Sequence, residues 1–269
     1  MDHQLSFIHP QAKIAQNVII EPFAYIGANV EIGEGTWIGP NVTIMEGSRI
    51  GKNCRIFPGA VISAIPQDLK FVGEETTAEI GDNTTIRECA TINRGTKARG
   101  KTSVGNNCLL MAYVHIAHDC EIGNNIIIGN ATQIAGEVKI EDHAILSGNV
   151  LVHQFSKIGG HVMISGGSLV RKDVPPYITA AHEPLSYVGI NSVGLRRRQF
   201  SNERINEILD IYRILYSGKN YANALIEIER KVPQSAERDY IIEFVRNSKR
   251  GIMKGNSRIN HKADGESIE

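Results

Sequence analysis

Histidine is the side chain that most readily takes up a proton near neutral pH, and the middle of this 269-residue chain holds several. The segment 115–119 reads HIAHD, so the carboxylate of Asp119 directly follows His118. A histidine beside a carboxylate can act as a general base on a hydroxyl group, with the carboxylate holding the tautomer of the ring. Taken singly, each histidine is better explained as a surface residue. The other candidates in this region are His115, His143, His153 with Gln154, and His161.

A six-residue repeat is the element that must position these side chains. An aliphatic residue occupies every sixth position from 8 to 62 and again from 104 to 170, and a small or β-branched residue commonly follows four positions later. This period matches neither an α-helix nor an antiparallel sandwich, and glycine often stands next to the aliphatic residue, where a corner needs it. The repeat predicts a mainly β protein, a parallel β-helix over residues 1–190. Its two interruptions predict loops at 65–79 and 94–103.

The repeat resembles that of the hexapeptide-repeat acyltransferases, which implies a left-handed coil of three hexads. Eighteen residues then complete one coil, and residues eighteen apart stack about 4.8 Å from one another. His118, Gly136 and Gln154 have this spacing. They are therefore expected at one corner of three successive coils.

This alignment is a layout for acyl transfer. The backbone N–H of Gly136 is expected about one strand spacing from His118, where it can bind the oxyanion that forms when a thioester is attacked. No Ser or Cys aligns with His118, so direct transfer is favoured over a covalent acyl-enzyme. The candidate catalytic groups are therefore His118 as general base, Asp119 as its partner and Gly136 as the oxyanion donor.

The chain after the repeats changes character. Residues 171–184 contain three prolines and no period, which predicts an irregular connection. We expect a small α-helical domain over 191–251 and a disordered polar tail over 252–269. Three helices are predicted to begin at the capping residues Ser201, Asn220 and Ser235.

Composition and charge exclude several classes of protein. The 29 basic and 29 acidic residues balance, which argues against nucleic acid as a partner. The N-terminus lacks a signal-peptide pattern and no stretch approaches about 18 apolar residues, so we expect a cytoplasmic protein without membrane spans. The cysteines have neither zinc-binding nor redox spacing and are expected to be reduced core residues. They are Cys54, Cys89, Cys108 and Cys120.

Several segments together resemble one family closely, the acyl-carrier-protein-dependent UDP-N-acetylglucosamine O-acyltransferases that begin lipid A synthesis. Many acyltransferases share the hexads, whereas the combination of QDLK, HIAHDC, HQF and a late NSVGLRRR segment is much more specific. The resemblance covers nearly the whole chain. The matching segments are IPQDLKFVGE (65–74), TINRGT (91–96), LLMAYVHIAHDCEIGNN (109–125), LVHQF (151–155), HVMISGG (161–167), DVPPY (173–177) and GINSVGLRRRQFS (189–201).

The resemblance implies roles for individual positions. It assigns the base to His118 with Asp119 beside it, the oxyanion amide to Gly136, and the residue that limits acyl-chain length to Gly166. Two arginines near a nucleotide sugar can give charge-assisted hydrogen bonds to a diphosphate, although three successive arginines taken alone would be a solvated basic turn. The substrate contacts implied are Gln67, Asp68, Lys70, His115, His153, Gln154, Asn191, Arg197 and Arg198.

The same resemblance implies the partners. The acceptor is UDP-N-acetylglucosamine, and the donor is a 3-hydroxyacyl chain on the phosphopantetheine of acyl carrier protein, with no metal and no separate cofactor. The assembly is a homotrimer with active sites between subunits. Because Gly166 leaves the acyl groove open, we expect a long donor, roughly C14 or longer.

Two departures from the family pattern keep alternatives open. A histidine often found after the oxyanion glycine is Glu137, and a glutamate after the asparagine is Val193. N-acylation of a 3-amino UDP-sugar is therefore an alternative reaction. More remote alternatives are a zinc-dependent γ-type carbonic anhydrase using His115, His118 and His153, and a scaffold without catalysis.

Overall fold

The computed structural model describes residues 5–255, which form a three-sided prism of short parallel strands followed by a hairpin and four helices. Most strands have only two residues because a corner follows each aliphatic position. The strands are β1 (Phe7–Ile8), β2 (Lys13–Ile14), β3 (Ile19–Ile20), β4 (Tyr25–Ile26), β5 (Glu31–Ile32), β6 (Trp37–Ile38), β7 (Thr43–Ile44), β8 (Ser48–Ile50), β9 (Arg55–Ile56), β10 (Val61–Ala64), β11 (Thr77–Ile80), β12 (Thr85–Ile86), β13 (Thr91–Asn93), β14 (Lys101–Val104), β15 (Leu109–Leu110), β16 (His115–Ile116), β17 (Glu121–Ile122), β18 (Ile127–Ile128), β19 (Gln133–Ile134), β20 (Lys139–Ile140), β21 (Ile145–Leu146), β22 (Leu151–Val152), β23 (Lys157–Ile158), β24 (Met163–Ile164), β25 (Leu169–Val170), β26 (Ile178–Ala181), β27 (Ser186–Ile190) and β28 (Lys254–Gly255).

Every third strand belongs to the same sheet, which gives the prism its three walls. Sheet A runs from β1 to β25, sheet B from β2 to β23, and sheet C from β3 to β24 and then through β26, β27 and β28. The register is eighteen residues per coil where no loop intervenes, as in the pairing of His115 with Gln133 and of Gln133 with Leu151. Residues that are eighteen positions apart in the sequence are therefore neighbours in adjacent coils.

The core is the stack of inward aliphatic residues and the smaller residues at the corners. Ile26, Ile44 and Ile116 are fully buried, and burial of a side chain of this size stabilises a fold by roughly 1.5–3 kcal/mol. Three of the four cysteines also face this core, as predicted. Cys89 does not: it is exposed at a corner with φ near 55°, and its prediction as a core residue was wrong.

The two loops are shorter than the repeat suggested. They cover 65–76 and 94–100, because β11 and β14 are four residues long and begin before the aliphatic position that marks the hexad. The predicted loop ends at 79 and 103 were therefore wrong by three residues each. The hexad period cannot detect an extended strand, since it follows only the inward positions.

The region after residue 170 is more regular than expected. β26 pairs in parallel with β24 and antiparallel with β27, so the proline-rich connection ends in a hairpin that continues sheet C. Ser201, Asn220 and Ser235 cap three helices as predicted, and a short helix before them was not predicted. The helices are α1 (Ser192–Arg197), α2 (Asn202–Leu215), α3 (Tyr221–Lys231) and α4 (Ala236–Arg246).

The start of the expected tail is folded. Ile252 and Met253 are buried and Lys254 pairs with Ser186 across β28 and β27, so the prediction of disorder from residue 252 was wrong for these positions. The polar composition of the last segment concealed this short apolar pair. Residues 256–269, the remainder of the predicted tail, lie outside the described residues.

The helical domain packs against the end of the prism. The hydroxyl of Tyr240 accepts a hydrogen bond from the backbone N–H of Gly160 and donates one to Glu141, and the Tyr212 hydroxyl donates to the carbonyl of Pro176 at 2.6 Å. These contacts fix the helices beside the corner between sheets B and C. Over residues 5–255, no helix is long and apolar enough to cross a membrane.

Candidate active site

His118 and Asp119 form a hydrogen-bonded pair at the corner between sheets A and B. His118 Nδ1 lies 2.8 Å from Asp119 Oδ2, and the carboxylate is fully buried. Three further donors reach that carboxylate: the backbone N–H and the hydroxyl of Thr96 and the backbone N–H of Arg99. An ionised carboxylate can only accept, so Nδ1 carries a proton and Nε2 is left free to take one.

Gly136 lies directly against the imidazole ring. A Cβ added at this glycine would lie 2.6 Å from Nε2 and 2.7 Å from Cε1 of His118, so no other residue fits without moving the ring. The backbone N–H of Glu137 donates to the carbonyl of His118, and that of Phe155 donates to the carbonyl of Gly136. His118, Gly136 and Gln154 therefore share one corner in three coils, as their spacing predicted.

The N–H of Gly136 donates to no protein atom within residues 5–255. A backbone N–H beside an unprotonated Nε2 can bind an oxygen that becomes negatively charged. A proton acceptor and an oxyanion donor thus face the same space. Both groups are needed for attack on a carbonyl group.

That space is a cleft of about 580 Å³ on the outer face of sheet A. Six predicted residues line it: Gln67, His115, His118, Gly136, His153 and Gln154. The sequence did not single out several of its other lining residues. These are Gln133, Leu151, Leu169 and Arg171.

The two additional histidines of the cleft have different environments. His115 Nδ1 lies 2.7 Å from the hydroxyl of Thr91, and burial together with the nearby His118 lowers the pKa of His115. His153 is exposed and its Nδ1 donates to the carbonyl of Gln154, so its Nε2 faces solvent as an acceptor. Both can hydrogen-bond to a polar ligand, and neither has a carboxylate partner among the described residues.

The first loop presents Asp68 and Lys70 beyond the cleft. Asp68 Oδ1 accepts the backbone N–H of Lys70 at 3.0 Å, a local turn, and the side chain of Lys70 is exposed. The same loop exposes Leu69 almost completely. Gln67 reaches the cleft, whereas Asp68 and Lys70 are not among the residues that line it.

Asn191 and Arg198 lie at a different corner, between sheets B and C. The Asn191 side chain caps α1 by accepting the N–H of Gly194, and it donates to the carbonyl of His161. Arg198 donates to the carbonyl of His143 at 3.2 Å, and burial lowers its pKa.

Arg197 is exposed, and its side chain has no hydrogen-bond or ion-pair partner within residues 5–255. Gly166 lies at the third corner, between sheets C and A, beside the carbonyl of Gly148. The chain therefore places the predicted site residues at three separate corners. Over the described range, no group of three His, Cys, Asp or Glu residues converges to hold a metal ion.

Sequence reasoning missed the residues that surround Asp119. Thr96 ends the segment TINRGT, which was recognised only as a family match, and Arg99 lies in the predicted loop. The signal that could have found them is the position of the second register break, one coil before Asp119. The break provides a loop long enough to fold over this acidic corner residue.

Comparisons with known proteins identify the family of this chain. A family model described as "Udp N-acetylglucosamine O-acyltransferase; Domain 2" matches residues 173–253, and a model of bacterial transferase hexapeptide repeats matches residues 29–64 and 101–136. The acyl-[acyl-carrier-protein]–UDP-N-acetylglucosamine O-acyltransferase of Chlorobaculum parvum is 62% identical over 188 residues, which are 69% of this chain and 71% of that protein.

Solved structures are similar over almost the whole chain. A UDP-N-acetylglucosamine acyltransferase from Bacteroides fragilis has a TM-score of 0.92 and 58% identity, and the match covers 94% of this chain and 100% of that one. The acyltransferase of Francisella novicida has a TM-score of 0.94 and 41% identity, with both chains covered completely. This likeness confirms the predicted fold class, a left-handed parallel β-helix of hexapeptide repeats with an α-helical C-terminal domain.

Proposed function

The chain belongs to the acyl-[acyl-carrier-protein]–UDP-N-acetylglucosamine O-acyltransferase family, and from this premise we propose that His118 is the general base of its reaction. The enzyme transfers an acyl chain from acyl carrier protein to UDP-N-acetylglucosamine, the first step of lipid A biosynthesis. The observation that carries the assignment is the position of His118, whose Nδ1 is paired with a buried carboxylate while Nε2 faces Gly136.

The proposed mechanism is direct transfer. Nε2 of His118 takes the proton of the sugar 3-hydroxyl while that oxygen forms a bond to the thioester carbonyl carbon. The N–H of Gly136 stabilises the negative charge that develops on the carbonyl oxygen. As the intermediate collapses, the carbon–sulfur bond breaks and the phosphopantetheine thiolate receives the proton from the imidazolium. None of these steps requires a metal ion or a bound cofactor.

We assign acceptor binding to groups on both sides of the cleft. Gln67, His115, His153 and Gln154 surround the base and offer hydrogen bonds to the sugar. Asp68 and Lys70 of the first loop are proposed to reach the nucleotide together with Asn191, Arg197 and Arg198. The two guanidinium groups supply charge-assisted donors for the diphosphate.

The separation of the residues over three corners supports a homotrimer. The outer face of sheet B is charged and internally paired, as in the Lys13–Glu31 and Lys139–Glu121 ion pairs. The outer face of sheet C instead carries a row of aliphatic side chains that are only half-buried: Leu109, Ile127, Ile145 and Met163. Packing of sheet C of one protomer against sheet A of the next would cover this row and bring the Arg198 corner of one copy to the His118 corner of another.

Mixed trimers test this arrangement. His118→Ala and Arg198→Ala subunits are denatured together and refolded, and they are assayed at UDP-N-acetylglucosamine concentrations well below the native KM, where each is weakly active alone. If the site lies between protomers, some interfaces pair an intact His118 corner with an intact Arg198 corner and activity returns. If the mixture has only the average activity of its components, both corners act within one protomer and the proposed packing is wrong.

Gly166 is proposed to leave the acyl groove open for a long 3-hydroxyacyl donor. Its own φ is not in the left-handed region, and a Cβ there would lie 3.1 Å from the carbonyl of Gly148, so a side chain can be introduced with a small adjustment. Gly166→Met should shift the preference to shorter chains, by about fourfold per methylene removed from the apolar groove. An unchanged preference for the longest donor would rule out this position as the length determinant. A donor carried by acyl carrier protein also supports the expected cytoplasmic location.

The deciding experiment measures product directly. UDP-N-acetylglucosamine is incubated with 3-hydroxyacyl carrier proteins of several lengths, and the acylated nucleotide sugar is quantified by mass spectrometry for the native enzyme and for His118→Ala. A loss of about 10²-fold or more is expected from removal of a general base. His182→Ala, at an exposed histidine that is not among the residues lining the cleft, is the matched control.

Two results would contradict the proposal. Full activity of His118→Ala would show that His118 takes no part in the reaction. Acylation of a 3-amino sugar in preference to UDP-N-acetylglucosamine would show that the acceptor is an amine, the alternative that Glu137 and Val193 left open.

A further inference from the structure

The loop at 94–100 closes over the carboxylate of Asp119. Thr96 contributes two hydrogen bonds, from its backbone N–H to Oδ1 at 3.0 Å and from its hydroxyl to Oδ2 at 2.7 Å. The backbone N–H of Arg99 reaches Oδ1 at 3.2 Å. With Nδ1 of His118 on Oδ2, each carboxylate oxygen has two donors, and the carboxylate cannot turn without breaking several of them.

The hydroxyl of Thr96 donates its hydrogen to Asp119. Oγ1 accepts the backbone N–H of Ala98 at 3.1 Å, so its own hydrogen is directed to Asp119 Oδ2. Thr96 is buried, and water has little access to replace it. The oxygen that receives this hydrogen is the same one that holds the His118 ring.

The loop is itself held in place. The hydroxyl of Thr76 donates to the carbonyl of Gly95 at 2.6 Å, and the N–H of Gly100 donates to the carbonyl of Thr96 at 2.7 Å. A Cβ at Gly95 would overlap the backbone of Lys101, so glycine is required for the loop to fold back this closely. The conformation that presents Thr96 to Asp119 is therefore also held by contacts with Thr76, Gly100 and Lys101 that do not involve the carboxylate.

We propose that Thr96 is a positioning residue for the transfer reaction, which acts through Asp119 to fix the orientation and tautomer of His118. The inference rests on the proposed role of His118 as general base. It gives a function to the segment TINRGT: the second register break of the prism supplies the group that completes the environment of the base.

Removal of the hydroxyl alone tests the proposal. Thr96→Val keeps the shape of the side chain and the backbone N–H but leaves Oδ2 with one donor fewer. We expect kcat to fall about 10- to 100-fold, the range expected for loss of a hydrogen bond to a charged group, with KM for UDP-N-acetylglucosamine unchanged. Thr96→Ser keeps the hydroxyl and should retain most of the native kcat.

Lys97→Ala is the matched control in the same loop. Its side chain is exposed and makes no hydrogen bond within residues 5–255, where its backbone N–H donates to Glu74. Native kcat and thermal stability are expected for this variant. Melting curves of all variants show whether any loss of activity follows from unfolding.

A double-mutant cycle separates positioning from general structural damage. In a His118→Ala background, Thr96→Val should lower the residual activity no further, because the group that it positions is gone. Equal fold losses in both backgrounds would assign Thr96 a structural role and overturn the inference. Native kcat in Thr96→Val, or a loss equally large in Thr96→Ser, would overturn it as well.

Failure of this inference is distinguishable from failure of the proposed function. If His118→Ala is fully active, the proposed base is wrong. If His118→Ala is inactive while Thr96→Val is unaffected, only the role of Thr96 is wrong. Should Thr96→Val not fold, Thr96→Cys replaces it: the weak S–H donor is expected to give a kcat between those of native enzyme and His118→Ala, and native kcat would contradict the proposal.

Discussion

Two corners of the prism present histidines from closely similar backbone and give them different properties. At the corner between sheets A and B, Asp119 has φ near 60° and His118 precedes it. At the corner between sheets B and C, His143 and His161 themselves have φ near 64° and 60°. The repeat therefore builds equivalent turns, but His118 stands one position before the left-handed residue while His143 and His161 occupy it, and the rings also differ in what surrounds them.

At the first corner the ring is held by a carboxylate. Asp119 accepts a hydrogen bond from His118 Nδ1, which fixes the orientation and the tautomer of the ring. The loop at 94–100 supplies the other donors to that carboxylate. This ring can therefore gain and lose a proton while keeping its orientation.

At the second corner the rings are stacked instead. The ring centroids of His143 and His161 are 4.7 Å apart, and those of His161 and Tyr177 are 5.4 Å apart. His161 Nδ1 is buried and has no hydrogen-bond partner within residues 5–255. Burial, followed by the charges of His143 and Arg198, lowers the pKa of His161 to about 4.

The contrast teaches that the type of residue alone does not determine its role. A buried carboxylate makes one histidine a candidate base, whereas burial next to an arginine keeps another neutral. The positive charge of this corner therefore comes from its arginines, Arg198 and Arg204 among them, which is consistent with the diphosphate binding proposed above.

The largest expected effect comes from disturbing the first corner. Gly136→Ala should lower kcat about 10²-fold, because the added Cβ would lie 2.6 Å from His118 Nε2 and displace the ring from the reacting hydroxyl. Steady-state kinetics with the acyl-carrier-protein assay measures the change. Gly27→Ala, where a Cβ has 3.2 Å to the nearest atom, is the control at a distant corner. Activity near the native level in Gly136→Ala would mean that the ring can move without cost.

The periodicity of the sequence predicted the parallel β-helix, and the resemblance to the hexapeptide-repeat acyltransferases supplied the coil of three hexads. With eighteen residues per coil, the unbroken hexad spacing then predicted that His118, Gly136 and Gln154 are neighbours at the first corner. The caps at Ser201 and Ser235 were equally local signals.

The missing parts depend on contacts that have no period. The hydrogen bond from the Thr96 hydroxyl to Asp119 joins residues 23 positions apart in the sequence, and the one from Arg198 to the carbonyl of His143 joins residues 55 positions apart. Such contacts depend on how a loop or a helix packs, which spacing does not encode. The placement of Asn191 and Arg198 at a second corner also could not be read from the chain, because these residues follow the repeats and the family match gives no relative placement.

A smaller effect is expected at the second corner. Arg198→Gln should raise KM for UDP-N-acetylglucosamine about tenfold and change kcat much less, because the lost interaction is a charge-assisted bond to the bound diphosphate and not to the reacting atoms. Arg196→Gln removes an exposed guanidinium from the same helix and should behave as the native enzyme. If Arg198→Gln instead lowers kcat with unchanged KM, the two corners share the chemistry and the division between them is wrong.

The smallest expected effect concerns stability and its dependence on pH. The pKa of His161 in the folded protein is about 4, below the ordinary value of 6.5, so the unfolded chain binds a proton more readily at this site. Its contribution to stability is therefore lost as the pH falls from about 6.5 towards 4. The neighbours that set this pKa are His143, Arg198, Asp142 and Arg204.

His161→Phe isolates that contribution. Phenylalanine can continue the stack between His143 and Tyr177 but cannot bind a proton, so its melting temperature should fall less than that of the native protein between about pH 7.5 and about pH 5. His182→Phe, at an exposed position, should keep the native pH dependence. A pH dependence in His161→Phe equal to that of the native protein would assign the acid sensitivity to other groups, with His143 as the next one to replace, because burial lowers its pKa as well.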